Sequence, residues 1–277
     1  MATRESPAST LPLPEATPTF AAPERWRAID FISDLHLAEN TPRAFDAWAA
    51  HLRHTQADAV FILGDLFELW VGDDVAERGF EARCVELLRE VAATKTIAFM
   101  AGNRDFLVGD AMLEASGVVR LRDPTLVVAF GSCALVSHGD ALCLDDAAYQ
   151  RYRSVIRRPG VQRTFLALPL PWRHAIGRAA RRRSESLHTP GLGAMIDIDR
   201  DAAAGWLRSA QAPTLVHGHT HAPASHALAP GLVRHVLSDW ELDAGGTPRA
   251  EVLRWDARGW ARIAPESAPG QAAAEAQ

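Results

Sequence analysis

Phe31-Ile32-Ser33-Asp34-Leu35-His36-Leu37 is the stretch on which the reading of this chain turns. It is apolar up to a carboxylate and an imidazole two residues apart. If the chain is still extended there, the period of two puts Asp34 and His36 on the same side, able to share one metal ion. A turn followed by a solvated histidine would look the same in isolation, so the neighbouring segments must decide.

Working outward, Ala28 to Ser33 is strand-like, and Thr41-Pro42 offers an N-cap with proline at N1 before Phe45, Trp48 and Leu52 at helical spacing. Ala59 to Leu63 is fully apolar and ends in Gly64-Asp65, as expected of a strand buried on both faces. Phe80, Cys84, Leu87, Leu88 and Val91 mark a second amphipathic helix. Thr96 to Met100 then runs into Gly102-Asn103-Arg104-Asp105, and a short helix from Asp110 closes at Gly117. This βαβ rhythm implies an α/β domain. Thr125 to Phe130 and Cys133 to Ser137 flank Gly131-Ser132, a hairpin signature with glycine first, and the second strand leads to His138-Gly139-Asp140. Thr214-Leu215-Val216 leads to His217-Gly218-His219-Thr220-His221. The later runs, Leu232 to Ser238, Ala250 to Trp255 and Gly259 to Ile263, are expected to be antiparallel.

Composition narrows the classes. A chain of 277 residues can hold one large domain or a core with a smaller insertion. Cys84, Cys133 and Cys143 are odd in number and in no CxxC spacing, which excludes a disulfide framework and a cysteine zinc site and fits a reducing compartment. No uncharged apolar run reaches the roughly 18 residues a spanning helix needs. Residues 1–25 read as a disordered leader and 265–277 as a disordered tail, leaving a core over 26–148 and 201–264 with an insertion at 149–200.

Five strand-like runs therefore each end in residue types that bind metals: Asp34 with His36, Asp65, Asn103, His138, and His219 with His221. In an α/β sheet the carboxyl ends of strands line the functional edge. Each ending has an ordinary explanation as a turn, but five together point to one site, because several buried charges without a metal would be costly.

The pattern DxH, GD, GNxD, HGD and GHTH resembles the calcineurin-like metallophosphoesterases, from about Ala28 to Trp240. The resemblance implies an α/β fold with a β-sandwich core flanked by helices, an inserted helical cap and two metals. Asp34, His36 and His221 would hold the first, Asn103, His138 and His219 the second, with Asp65 bridging. Mixed nitrogen and oxygen ligation suits Mn, Fe or Zn better than Mg or Ca, and Mn2+ is the expected ion. His217 is a candidate to support a ligand, whereas His51, His54, His226 and His235 are not expected to bind metal.

Members of this superfamily commonly carry histidine after the asparagine, and here Arg104 stands instead. A guanidinium cannot donate its proton at ordinary pH, but it can grip two phosphate oxygens and neutralise developing charge. A leaving group that is itself a phosphate needs little protonation, so a diphosphate substrate is expected. The alternative is that Arg104 only pairs with Asp105. SDLHL, LGDLFELWVGDD, GNRDFLVG, HGDALCLDDAAYQRYR and HGHTHAP narrow the resemblance to the UDP-2,3-diacylglucosamine pyrophosphohydrolase family of lipid A biosynthesis, which yields UMP and 2,3-diacylglucosamine 1-phosphate. That resemblance implies catalytic roles for Arg104 and Asp65. It also implies substrate contacts from Asn103, Arg104, Asp146, Tyr149, Arg181, Ser184 and His219. His188 stands where relatives often carry asparagine, and Gly191 cannot replace their lysine. Asp145, Asp146 and Ser184 could equally be helix caps.

Between Arg151 and Arg183 lie ten arginines and no Asp, Glu or Lys, in a chain of net charge −5. Val155, Ile156, Phe165, Leu166, Leu168, Leu170, Trp172 and Ile176 are interleaved, and Pro169-Leu170-Pro171 divides the segment into helical pieces. A solvated basic face over docked apolar residues is one reading. The other is a cap that lies on an anionic bilayer and admits acyl chains, placing the protein peripherally on the cytoplasmic face of the inner membrane. Nucleic acid is not an expected partner, since Tyr152, Phe165 and Trp172 are too irregular for base stacking, and no obligate protein partner is evident. The competing enzyme class is a soluble metal-dependent phosphodiesterase or nuclease. A non-catalytic scaffold ranks lower because no ligand position is missing.

Overall fold

The computed structural model describes residues 11–187 and 196–267. The first half of the chain alternates strand and helix: β1 (Thr19–Ala21), β2 (Ala28–Ile32), α1 (Pro42–His54), β3 (Ala59–Leu63), α2 (Gly79–Ala92), β4 (Thr96–Met100), α3 (Asp110–Ser116) and β5 (Val119–Leu121). A hairpin of β6 (Thr125–Ala129) and β7 (Ser132–Ser137) follows. Three helices form the insertion: α4 (Ala147–Ile156), α5 (Pro159–Leu166) and α6 (Leu170–Leu187). The chain returns through α7 (Arg200–Ala210), β8 (Thr214–His217), β9 (Ala224–Ala229), β10 (Leu232–Val236), β11 (Val252–Asp256) and β12 (Gly259–Ile263).

The strands form two six-stranded sheets, ordered β1-β6-β7-β8-β10-β9 and β12-β11-β2-β3-β4-β5. Alternation along β3 shows how they pack. Ala59, Phe61 and Leu63 face the other sheet, joining Phe31, Val127, Val136, Val216 and Trp255. Val60 and Ile62 face outward under α1 and α2, among Trp48, Leu52, Leu87 and Leu88. On the far side α7 covers the first sheet through Ala203, Trp206 and Leu207 against Leu135 and Leu215. The result is helices, sheet, sheet, helix, with one apolar layer in each gap, as a β-sandwich flanked by helices requires.

Four expectations are corrected. Residues 11–25 are not a disordered leader: β1 pairs in parallel with β6 from Thr19 against Leu126, Leu11 and Leu13 pack by α7, and Trp206 Nε1 donates to the Leu11 carbonyl at 3.0 Å. Backbone pairing at a sheet edge needs few apolar side chains, so composition did not reveal it. The hairpin turn is Phe130-Gly131 rather than Gly131-Ser132, since Ala129 pairs with Ser132 and the two turn residues have φ of 52° and 75°. Two positive φ values are the type I′ geometry that suits strand twist. The late strands are not all antiparallel, since β10 runs parallel to β8. Finally, Thr41 does not cap α1. Its hydroxyl is engaged with Ala38, and the amides of Arg43 and Ala44 donate instead to Asp243, at 3.0 and 2.9 Å.

Among the described residues no helix is long and apolar enough to cross a membrane.

Candidate metal centre

The carboxyl ends of β2, β3, β4, β7 and β8 meet at one end of the sandwich. They deliver Asp34 and His36, Asp65, Asn103 and Arg104, His138, and His219 and His221. The expectation that Asp34 and His36 converge because the strand continues is corrected. β2 stops at Ile32, and Asp34 and His36 take left-handed backbone at φ 53° and 49°. Asp65, His219 and His221 do the same, so five of the seven non-glycine residues with positive φ among those described are candidate ligands. Such backbone costs on the order of 1 to 3 kcal/mol per residue and persists where the surroundings impose it, as at functional sites. The glycines of the motifs serve close approach. A Cβ on Gly218 would fall 2.4 Å from Asp34 Oδ2, and one on Gly102 would fall 2.1 Å from Asp65 Oδ1.

Two donor clusters result. Asp34, His36 and His221 offer atoms within 4.8 Å of one another, as do Asp34, Asp65 and His138. Asp34 belongs to both, whereas Asp65, expected to bridge, falls in the second alone. In the first cluster His36 Nε2 lies 3.3 Å from His221 Nε2, and His221 Nε2 lies 3.4 Å from Asp34 Oδ1, a buried atom with no hydrogen-bond partner. In the second, Asn103 Oδ1 lies 2.9 Å from His138 Nε2 and 2.8 Å from His219 Nδ1. The Leu63 carbonyl, 2.9 Å from His138 Nδ1, takes the ring proton on that side. A neutral His138 would turn its Nε2 lone pair on the Asn103 oxygen, a contact that either a proton on Nε2 or a bound cation relieves. The field agrees. Burial opposes a charge on His138, yet Asp65, Asp34 and Asp140 push its pKa up to about 9. Burial likewise penalises the Asp34 charge, but His221, His138 and His36 hold its carboxyl well below the usual range. Imidazole, carboxylate and amide donors grouped in this field fit a pair of divalent metal ions.

A ring of supporting groups surrounds the donors. Asp105, fully buried, accepts from the amides of Gly102 at 2.7 Å and Leu66 at 2.7 Å and lies 3.3 Å from those of Asp65 and Phe67, tying two ligand loops together. It does not pair with Arg104, whose amide donates to Asp65 Oδ1 at 2.8 Å and whose Nε lies 3.9 Å from Asp65 Oδ2. His36 Nδ1 faces Glu68 at 3.3 Å, and His221 Nδ1 faces Asp239 at 3.7 Å. Asp140 of the HGD motif is buried, and although burial penalises its charge, Arg153 and Arg157 hold it well below the usual range. It accepts from Arg153 Nε at 2.8 Å and Tyr149 Oη at 2.6 Å, stitching α4 to the strand end beside His138. Glu68, Asp239, Arg153 and Arg157 receive no role from motif reading, and Asp105, the aspartate of GNxD, enters it only as a possible partner of Arg104. Acidic residues within or just after the GD and GN motifs were the available signal for Glu68 and Asp105.

Around the mouth, the Tyr149 ring lies 5.9 Å from that of His219, tilted by 30°. The Asp146 carboxylate accepts the Tyr149 amide at 2.8 Å, so it caps α4, one of the two roles left open for it. Arg181 of α6 pairs through Nε with Glu68. Ser184 lies on α6, and His188 and Gly191 fall outside the described residues. His217 turns Nδ1 to the Gly218 carbonyl at 2.9 Å, His51 packs against Asp30, and His235 bonds Ser225, so these three stand apart from the clusters.

A sequence model of the family described as calcineurin-like phosphoesterase matches residues 28–223. Among curated proteins, the chain is 45% identical over 227 residues to a UDP-2,3-diacylglucosamine hydrolase of Chromobacterium violaceum, covering 79% of this chain and 93% of that one. Proteins with the same name from Nitrosococcus oceani and Ralstonia nicotianae are each 41% identical. The first match covers 76% of this chain and 86% of the relative, the second 81% and 87%.

Proposed function

From the premise that this chain belongs to the calcineurin-like phosphoesterases, we propose that it hydrolyses UDP-2,3-diacylglucosamine to UMP and 2,3-diacylglucosamine 1-phosphate. Water attacks the α phosphorus, the bond from that phosphorus to the bridging oxygen breaks, and the sugar 1-phosphate leaves. The relatives' name supplies the substrate. The observation that carries the diphosphate chemistry is Arg104, placed against Asp65 at the donor clusters and not spent on Asp105.

Asp34, His36 and His221 would hold one metal ion and Asn103, His138 and His219 the other, with Asp65, the bridging ligand by resemblance, grouped with Asp34 and His138; Mn2+ suits this donor set. Bound there, the ions supply Lewis acidity to the phosphoryl oxygens and lower the pKa of water. Arg104 grips the diphosphate and neutralises charge as the phosphate departs, which explains why no proton donor stands in its place. By resemblance to the family, Tyr149, Asp146, Arg181, Ser184 and His188 would contact the head group, the first two from α4 and Arg181 from α6.

The three inserted helices form the cap over this mouth. Tyr152, Val155, Val161, Leu166 and Ile176 are exposed, as is Trp172 at 66%, among the arginines of the segment. Basic and apolar surface together suits the cytoplasmic face of the inner membrane, where a diacylated substrate resides. Binding to anionic vesicles should therefore weaken with salt, and absence of binding at low ionic strength would remove the membrane from this reading.

The decisive assay supplies UDP-2,3-diacylglucosamine and Mn2+ in oxygen-18 water and follows the label by phosphorus NMR. Label in UMP supports attack on the α phosphorus. Label in the lipid phosphate overturns the regiochemistry, and cleavage of nucleic acid in preference to this substrate overturns the substrate class.

A further inference from the structure

Glu68 has no part in the mechanism above, yet its carboxylate lies between a metal donor and the cap. Its amide donates to the Leu37 carbonyl at 3.0 Å, and an isolated parallel bridge joins Leu37 to Phe67. The segments that leave β2 and β3 therefore run side by side, which brings the Glu68 carboxylate against His36. Oε2 lies 3.3 Å from His36 Nδ1, within ion-pair range though outside hydrogen-bond geometry, and Nδ1 has no other partner among the described residues, while Nε2 of the same ring faces the first donor cluster. Oε1 pairs with Nε of Arg181 on α6.

The packing of α6 makes that second contact reproducible. Gly177, one turn before Arg181, sits so close to the core that a Cβ would fall 3.0 to 3.2 Å from the methyls of Leu69 and Val71. Arg173, one turn earlier again, is 4% exposed and donates to the Val71 carbonyl at 2.6 Å and to Asp74 Oδ1 at 2.8 Å. Residues 68 to 74 are thus the track on which α6 is seated, and Glu68 is the end of that track nearest the metal donors. His221 has a comparable carboxylate in Asp239, but its arginine partner, Arg249, belongs to the core. The connection through Glu68 reaches the cap.

We infer that Glu68 is a positioning residue joining cap to metal centre: one oxygen holds the His36 ring with Nε2 toward the metal, and the other holds Arg181 and with it the seated register of α6. The inference rests on the two-metal reading of the site. A carboxylate at Nδ1 keeps the proton of the neutral imidazole on that nitrogen and leaves the Nε2 lone pair for the metal, an arrangement whose loss commonly weakens metal affinity about 10- to 100-fold. Because one side chain performs both tasks, seating of the cap and affinity for the first metal are coupled, and coupling of binding equilibria is reciprocal. A plain surface ion pair would show no such linkage.

The test is a titration of the metal-stripped full chain with Mn2+, without substrate, following free Mn2+ by its room-temperature EPR signal. Wild type, Glu68→Gln, Arg181→Gln and the double variant are compared, with circular dichroism to show that each is folded. Glu68→Gln should weaken one of two Mn2+ equivalents about tenfold or more and leave the other unchanged. Arg181→Gln, which removes the guanidinium paired with Glu68, should weaken the same equivalent in the wild-type background and have no further effect beside Glu68→Gln. Wild-type affinity for both equivalents in Glu68→Gln, or an Arg181→Gln effect undiminished in the double variant, overturns the inference. Since no substrate is present, failure of diphosphate hydrolysis would strike the proposed function while leaving this result standing.

Discussion

Arg104 is the residue on which the substrate class turns, and its surroundings predict how a change there should read out. Its backbone is fixed at both ends, the amide by Asp65 and the carbonyl by the Trp70 amide at 3.1 Å. Only the guanidinium is free to meet a substrate. Replacement by lysine keeps the charge and loses the planar fork. Arg104→Lys should lower kcat on a diphosphate by about tenfold or more with metal content unchanged, and Arg104→Ala by about 100- to 1,000-fold, the scale of removing one donor to developing charge. Steady-state kinetics alongside metal analysis check this, and an alanine variant with wild-type kcat would remove Arg104 from the chemistry. At this scale the identities of the donors were legible in sequence, but the reason they converge was not. Left-handed backbone at Asp34, His36, Asp65, His219 and His221 reorients each side chain after its strand has ended, and no periodicity encodes that.

At the scale of elements, the strands and helices of the βαβ half were legible because each is a short apolar run or a 3.6-residue stripe bounded by proline or glycine. β1, β5 and β9 were not, because a three-residue strand or an exposed edge strand carries too little apolar signal. The cap is a mixed case. Its helices follow from proline and apolar spacing, but its seating depends on Arg173, an arginine indistinguishable in sequence from the nine others of the insert. Buried among Val71, Leu168 and Asp74, Arg173 spends its donors on two carbonyls and a carboxylate, whose charge it stabilises. Arg173→Ala should therefore loosen the cap and spare the sandwich. Amide exchange in α5 and α6 should accelerate about tenfold or more, with KM for the lipid substrate rising and exchange in β2 to β4 unchanged. Exchange in α5 and α6 at the wild-type rate would show that α6 is held elsewhere.

At the scale of the whole molecule, the sheet that contains β2 and β11 meets its helical layer through a buried ionic cluster on the strand that leads to Asp34 and His36. Asp30 of β2 is fully buried and accepts from Arg254 of β11 at 2.7 and 2.8 Å and from Thr55 at 2.5 Å, with His51 of α1 at 3.3 Å. It thus ties two strands to the helix that covers them. Burial by itself would raise its pKa, but the hydrogen bonds from Arg254, His51 and Thr55 bring it down from 3.8 to about 2. The sign follows from linkage. A carboxyl whose folded pKa is depressed contributes stability that is fully present above the unfolded value and lost as pH falls through the folded one. The window is therefore from about pH 4 down to about pH 2, and the contribution is roughly 2 kcal/mol. Asp30→Asn removes the titrating group and leaves Arg254 facing a neutral amide, so it should be less stable than wild type at pH 7. Urea unfolding of both proteins should show that gap narrowing by about 2 kcal/mol between pH 5 and pH 2, because wild type loses in acid what the variant never had. A gap constant across that range would mean that Arg254 is stabilised without the Asp30 charge, and that packing of β2 against β11 and α1, rather than the ion pair, holds the outer layer to the sandwich.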